Sequence, residues 1–441
     1  MNVATLFWQA CDRHAERLAV VDGERSFSYA QLHARVAGLT RFLQDQGLTA
    51  GDRVAIVSRN SSEYLETIWA CVSIGAVPVP INFRLADREL QSVLAFADAR
   101  LFFASSEFAA RLRRCLTPDQ AGAAPLIVWP GARAEQAAPE SAPAYEDVLA
   151  TRTDARPPMH PVPGDAPCLL IFTGGTSGTP KAVPRSHRNL LATLLLQPGI
   201  ALTGNAKTVL AATPFFHVAG QIAAFVLAQG GTVVVGDGAF SGRHFLELVQ
   251  RYRIEAAFVV PAMISQIANA ETDGAADVSC LRELRSGGAP LPTELANKLI
   301  HRFSGIRLWN GGGSTEAGTI AAGSWEELSP RGFGCIGRPP IGQEVRVFSD
   351  EGELLPAGET GELRVRGAQV APGYWRDASR SEESFRDGWC STADIGRIDE
   401  DGFVYLIDRK SDMIISGGEN IYAREVEEAL HRASRVREAA V

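Results

Sequence analysis

The spacing of apolar and polar residues sorts the chain into segments of different period. Over residues 26–47, Leu32, Val36, Leu39 and Leu43 recur at helical spacing, Ser28 and Gln31 fit a capping box, and Gly47 suits the stop, so a helix is predicted. "DRVAIVS" reads as a strand and "LETIWACVSIGAV" as a helix. The runs "LFFAS", "LIVW", "CLLIFT", "TVLAAT", "TVVVG" and "AAFVVP" read as further strands, with helical patterns between several of them. This alternation predicts an α/β architecture with sheets buried by helices.

After Gly334 the period changes to two. "EVRVFSDEGELL", "GELRVRG" and "GRIDEDGFVYLID" alternate around D-E-G or E-D-G turns and read as hairpins. The final segment holds the apolar run Met413, Ile414 and Ile415, a glycine pair and the helix-like "YAREVEEALHRA", too little for a core of its own. At 441 residues the chain exceeds one compact core. We expect an α/β subdomain over 1–165, a second over 166–335, a small β-rich subdomain over 336–407, and the start of a small α+β domain over 408–441. The Ala/Pro-rich "WPGARAEQAAPESAPA" and "RPPMHPVPGDAP" read as connectors, the latter between the two α/β units.

Bulk properties narrow the function classes. The net charge is −8 without a long basic run, which argues against nucleic acid or an anionic membrane as the main partner. Seven scattered cysteines without C-x-x-C spacing read as reduced thiols of a cytoplasmic protein. The N-terminal stretch lacks a basic start followed by an apolar block and does not read as a secretory signal. The longest apolar stretch, Trp69 to Ile81, is broken by Ser73, Gly75, Pro78 and Pro80, so no transmembrane segment is expected.

The sharpest chemical signal is "IFTGGTSGTPKAV". Gly174, Gly175 and Gly178 let backbone N–H groups approach an anion, the hydroxyls of Thr173, Thr176, Ser177 and Thr179 donate further hydrogen bonds, and Lys181 supplies charge. Such a set fits a polyphosphate, although it is not a Walker P-loop, and composition alone suits a flexible surface loop equally well.

"TGGTSGTPKAV" also resembles the phosphate signature of the adenylate-forming enzymes, the superfamily of acyl- and aryl-CoA ligases, luciferases and peptide-synthetase adenylation domains. "WNGGGSTEAG" is similar to that family's Y-G-x-T-E, which implies Thr315 on the α-phosphate and Glu316 on the Mg²⁺ carried by ATP. Gly312 stands where the family usually has an aromatic that stacks on adenine. "RSGGAPLP" resembles the adenine wall at Gly288, Ala289 and Pro290; "WCSTADIG" implies that Asp394 holds the ribose hydroxyls, with Ala393 in place of the usual Gly. "DRKSDMIISGGENIYAREVEEAL" is the most specific match: it implies Arg409 on the ribose, a hinge at Asp408 to Ser411, and Gly417 and Gly418 beside the pantetheine tunnel. "TPFFHVAG" matches P-x-x-H and implies His217 near the acyl group, in a substrate pocket shared with Gly288, Gly311 and Gly312.

The resemblance runs from about residue 27 onward and implies an acid–thiol ligase. A carboxylate attacks the α-phosphorus of ATP, pyrophosphate leaves, and the thiol of coenzyme A takes the acyl group from the acyl-adenylate with release of AMP. Thr176, Lys181, His217, Thr315 and Glu316 are the implied catalytic residues. The aromatic–His–aliphatic run gives an α-ammonium group no partner, so a fatty or aryl acid is expected rather than an amino acid. An acyl carrier protein is the alternative acceptor, and a monomer or homodimer is implied. The family's C-terminal-domain lysine has no counterpart, since Lys410 is the only lysine after Arg409. The chain is therefore expected to be part of a longer enzyme and to adenylate slowly; were it naturally short, a non-catalytic binding homologue would be the alternative.

Overall fold

The computed structural model describes residues 1–123, 125–130, 143–150, 159–173, 180–196, 207–236, 239–271, 277–410, 414–416, 419–421 and 423–431. They form two compact units. The first comprises Met1–Leu194, Leu202–Phe240 and Tyr374–Arg376; the second comprises Leu195–Ala201, Ser241–Gly373 and Asp377–Val441.

In the first unit a parallel sheet runs in the order Val77–Pro80, Arg53–Val57, Leu101–Ser105 and Leu126–Trp129. Val77–Pro80 lies at its edge, where Pro78 and Pro80 forfeit no ladder bond on the open side. A second set pairs Leu18–Asp22 with Arg25–Ser28 antiparallel and with Thr232–Val235 parallel, and Thr232–Val235 with Thr208–Ala211 parallel. Most of these strands read as continuous apolar runs because both faces are covered. The predicted helix forms as Tyr29–Asp45, with Ser28 and Gln31 closing the capping box and Leu32, Val36, Leu39 and Leu43 all buried. Its expected start at residue 26 is corrected, since Arg25–Ser28 pairs as a strand instead. The helix expected over 65–77 spans Ser62–Ser73, with Ser61 accepting from the Tyr64 N–H; Gly75 at φ 77° turns the chain into the next strand.

A buried polar cluster ties helices of this unit together. Glu66, fully buried, accepts from Arg35 Nε at 2.7 Å and from the Tyr145 hydroxyl at 2.7 Å, and Arg35 also reaches Glu146 at 2.8 Å. Burial pushes the Glu66 carboxyl up and the Arg35 charge draws it back down.

In the second unit, Ala256–Val259, Glu283–Ser286 and Arg307–Ser314 run parallel, and Gly318–Ser324 returns antiparallel beside the last. A separate antiparallel sheet has the order Cys335–Gly337, Val404–Arg409, Trp389–Ile398, Gly361–Gly367 and Gln343–Phe348. These are the hairpins read from the period-two segments, closed by turns around Gly352 and Gly402. Ile320 and Ala321 share one core with Ile336, Val345, Leu363, Val365 and Val404 of that sheet. Further on, Ile414–Ser416 pairs with Glu419–Ile421, and a helix covers Ala423–His431. Among the described residues no helix is long and apolar enough to cross a membrane.

Candidate functional site

The glycine-rich stretch joins two antiparallel strands, Pro167–Thr173 and Lys181–Ser186, with Thr173 and Lys181 as cross-strand partners. Gly174, Gly175, Thr176, Ser177, Gly178 and Thr179 lie outside the described residues. Among the described residues the motif is thus flanked by two paired antiparallel strands, and the affinity for an anion read from its sequence comes from backbone N–H groups, hydroxyls and Lys181. Thr173 Oγ1 is buried and finds no hydrogen-bond partner among the described residues. Lys181 Nζ stands 5.9 Å from the centroid of the Tyr374 ring, and the neighbouring Trp375 N–H donates to the Ala182 carbonyl at 2.8 Å.

His217 belongs to the same unit. It precedes the helix Val218–Ala228, its ring 4.5 Å from that of Phe216, at the lip of an apolar cavity lined also by Phe215, Ile171 and Ala224. Burial, aided by the charge of Arg84, holds its imidazole below the usual histidine range, so the neutral ring prevails at pH 7.

The remaining described candidates belong to the second unit, and seven of them line one cavity of about 100 Å³: Gly288, Ala289, Pro290, Gly311, Gly312, Asp394 and Arg409. Gly288, at φ 82°, turns the chain after the strand Glu283–Ser286. Gly311, Gly312 and Gly313 form no turn; they lie within the strand Arg307–Ser314. A Cβ on Gly313 would come within 2.3 Å of the Gly318 carbonyl oxygen, and one on Gly311 within 2.9 Å of the Ala321 oxygen, so close strand pairing requires glycine at both.

Thr315 and Glu316 stand in the tight turn between this strand and its antiparallel partner. Two buried glutamines hold that turn. Gln343 Nε2 donates to the Ala317 carbonyl at 2.8 Å, Gln369 Oε1 accepts from the Thr319 N–H at 3.2 Å, and the Ala371 N–H donates to the Glu316 carbonyl at 2.8 Å. Neither glutamine carries a sequence signal, because their role depends on pairing across distant loops.

Asp394 is aimed by a bulge. Between the pairs Glu362↔Ile395 and Arg364↔Ser391, the single residue Leu363 faces Thr392, Ala393 and Asp394. Thr392 Oγ1 donates to the Leu363 carbonyl at 2.6 Å and accepts from the Asp394 N–H at 3.1 Å. Ala393 takes φ 57°, a left-handed conformation that glycine adopts freely and alanine does not. The substitution of Ala for the motif's usual Gly is therefore a strained one. Opposite Asp394 in the register stands Arg409, whose Nε lies 3.6 Å from Asp394 Oδ1. Arg409 is 70% exposed, so this pair adds little stability and leaves the guanidinium accessible. Asp408 is buried in the same strand, while Ser411, Gly417 and Gly418 lie outside the described residues. The cavity lining that sequence reasoning missed comprises mainly Trp325, Phe333, Ile336 and Leu406, apolar residues with no motif around them.

The family model described as AMP-binding enzyme matches residues 7–375. The chain is 36% identical over 418 residues to a feruloyl-CoA synthase of an Amycolatopsis species, covering 94% of this chain and 79% of that protein. It is 32% identical over 439 residues to a fatty acid–[acyl-carrier-protein] ligase of Streptomyces coeruleorubidus, covering 96% and 80%. Among solved structures it resembles the O-succinylbenzoate coenzyme A synthetase of Bacillus subtilis in complex with AMP, with a TM-score of 0.83, 26% identity, and coverage of 99% of this chain and 85% of that one.

Proposed function

The chain belongs to the AMP-binding enzyme family, whose relatives are acid–thiol ligases, and from that premise we propose that it joins a fatty or aryl carboxylic acid lacking an α-amino group to coenzyme A through an acyl-adenylate. The observation that carries this reading is the convergence of Gly288–Pro290, Gly311–Gly312, Asp394 and Arg409 on one cavity. Sequence segments about a hundred residues apart supply a narrow slot between glycine backbones, with a carboxylate and a guanidinium at its rim. In this reading the slot holds the nucleoside, Asp394 accepts from the ribose hydroxyls and Arg409 donates to the ribose.

In this reading the hydroxyl- and glycine-rich motif at 173–181 supplies phosphate donors, as does Thr315 in its turn, and such donors offset the charge that grows as the acid's oxygen attacks the α-phosphorus. Among the described residues no three His, Cys, Asp or Glu side chains cluster as a metal site. Glu316 alone, in its turn, fits a Mg²⁺ that arrives on ATP and keeps most of its other oxygens from phosphate and water. When bound, such an ion draws charge from the phosphate oxygens. Neutral His217, beside Phe215 and Phe216, suits an uncharged acyl or aryl group. The reduced, buried cysteines fit a cytoplasmic setting.

An acyl carrier protein is a second reading of the acceptor, favoured by the likeness to a fatty acid–[acyl-carrier-protein] ligase. The test is pyrophosphate release over a panel of fatty, benzoic, cinnamic and amino acids, followed by thioester formation with free coenzyme A or with phosphopantetheinylated carrier. Release with fatty or aryl acids and thioester on coenzyme A support the proposal. Preference for an α-amino acid, or acceptance by the carrier alone, refutes it.

A further inference from the structure

The space over Gly312 is filled by side chains that come from elsewhere in the second unit. A Cβ placed on Gly312 would lie 3.0 Å from Ile336 Cδ1 and 3.0 Å from Leu406 Cδ1. Both residues line the cavity that also contains Gly288 and Asp394. They arrive together because their strands pair antiparallel, with Cys335 opposite Tyr405 and Gly337 opposite Val404, and because the Leu406 N–H donates to the Gly334 carbonyl at 2.8 Å. A side chain at position 312 would require the Cδ1 ends of this aliphatic pair to give way.

One residue further out, Phe333 enters the same cavity from the loop Gly332–Phe333–Gly334. Gly332 and Gly334 both have φ 81°, and a Cβ on Gly334 would meet the Leu406 carbonyl oxygen at 2.7 Å. The ring is thus presented by a loop whose two flanking residues hold a left-handed conformation that favours glycine. The other aromatic of the lining, Trp325, is held by its Nε1–H on Asn297 Oδ1 at 3.1 Å and is 8% exposed, whereas Phe333 is only partly buried.

The geometry points to Phe333, backed by Ile336 and Leu406, as the apolar face on which the nucleobase lies, in place of the aromatic residue that the motif ordinarily carries at position 312. An aromatic ring and branched aliphatic side chains give a base flat dispersion contact without hydrogen-bond demands, and the open space over the Gly288 backbone leaves it the thickness it needs. Phe333 is therefore a positioning and specificity residue for the purine. This inference rests on the reading that the cavity receives the adenylate.

The experiment measures binding of AMP to the chain by calorimetry, and binding of ribose 5-phosphate by competition. Phe333→Ala is expected to weaken AMP about tenfold, the loss typical of one base stack, and to leave ribose 5-phosphate unchanged. Phe333→Tyr, which keeps the ring, should hold AMP within about twofold of the parent, while Phe333→Leu, which keeps only bulk, should lose several-fold. Gly312→Tyr should weaken AMP alone and recover affinity when combined with Ile336→Ala. Asp394→Asn serves as the control and should weaken both ligands. If Phe333→Ala and Phe333→Leu bind AMP normally while Asp394→Asn does not, the inference fails and the adenylate reading stands. If none of the variants alters AMP binding, both fall.

Discussion

Replacing Ala393 by glycine is expected to stabilise the protein, because the residue is held at φ 57° in the bulge that aims Asp394. In that region the Cβ of an L-residue crowds the following carbonyl, at about 1–2 kcal/mol, and glycine escapes this cost. Against it stands the greater freedom of glycine in the unfolded chain, about 0.4–1 kcal/mol. Ala393 is exposed, so its methyl group contributes no packing to be lost. The difference predicts a net gain of about 0.5–1 kcal/mol for Ala393→Gly. Ala393→Val should move the other way by about 1 kcal/mol or more, since a β-branched side chain is worse in this conformation. Urea unfolding measures both, read as a shift of midpoint at constant slope. Native-state hydrogen exchange in the strand Trp389–Ile398 separates this unit from the other. A lower midpoint for the glycine variant, or equal stability of the alanine and valine forms, would refute the argument from backbone strain.

Three further outcomes follow from named contacts. Glu66→Ala strips the partly buried Arg35 and the buried Tyr145 of a shared acceptor and should cost about 3 kcal/mol in urea unfolding, with Glu66→Gln losing less. His187, fully buried with Nδ1 accepting from the Val3 N–H, is depressed by burial to about 4. Its folded pKa lies below the unfolded value near 6.5, so the folded state binds fewer protons and stability falls as pH drops from about 6.5 to about 4; His187→Asn should flatten that part of the pH–stability curve. Gln343→Leu removes the donor to the Ala317 carbonyl and the acceptor for the Gln369 N–H; it should cost about 1–3 kcal/mol and loosen the turn at Thr315 and Glu316, seen as faster amide exchange there.

Period and local chemistry were enough to read most of the fold. The capping box at Ser28, the apolar run Leu101–Ser105 and the alternating hairpins after residue 340 depend on neighbours a few positions away, and their positions follow from the order of the residues. The motifs likewise name Gly288–Pro290, Asp394 and Arg409 one segment at a time, since each needs only its own short pattern. Tertiary structure decided what those residues are next to. That the glycines at 311–313 sit in a closely paired strand follows from carbonyl oxygens five and ten residues onward, which leave no room for a Cβ at Gly313 or Gly311. That Ala393 is strained follows from a register mismatch with Leu363. That Ile336 and Leu406 close over Gly312 follows from pairing between strands some seventy residues apart. Such contacts have no local period to betray them: their free energy comes from burial between distant segments, and only the assembled sheet sets which side chains meet.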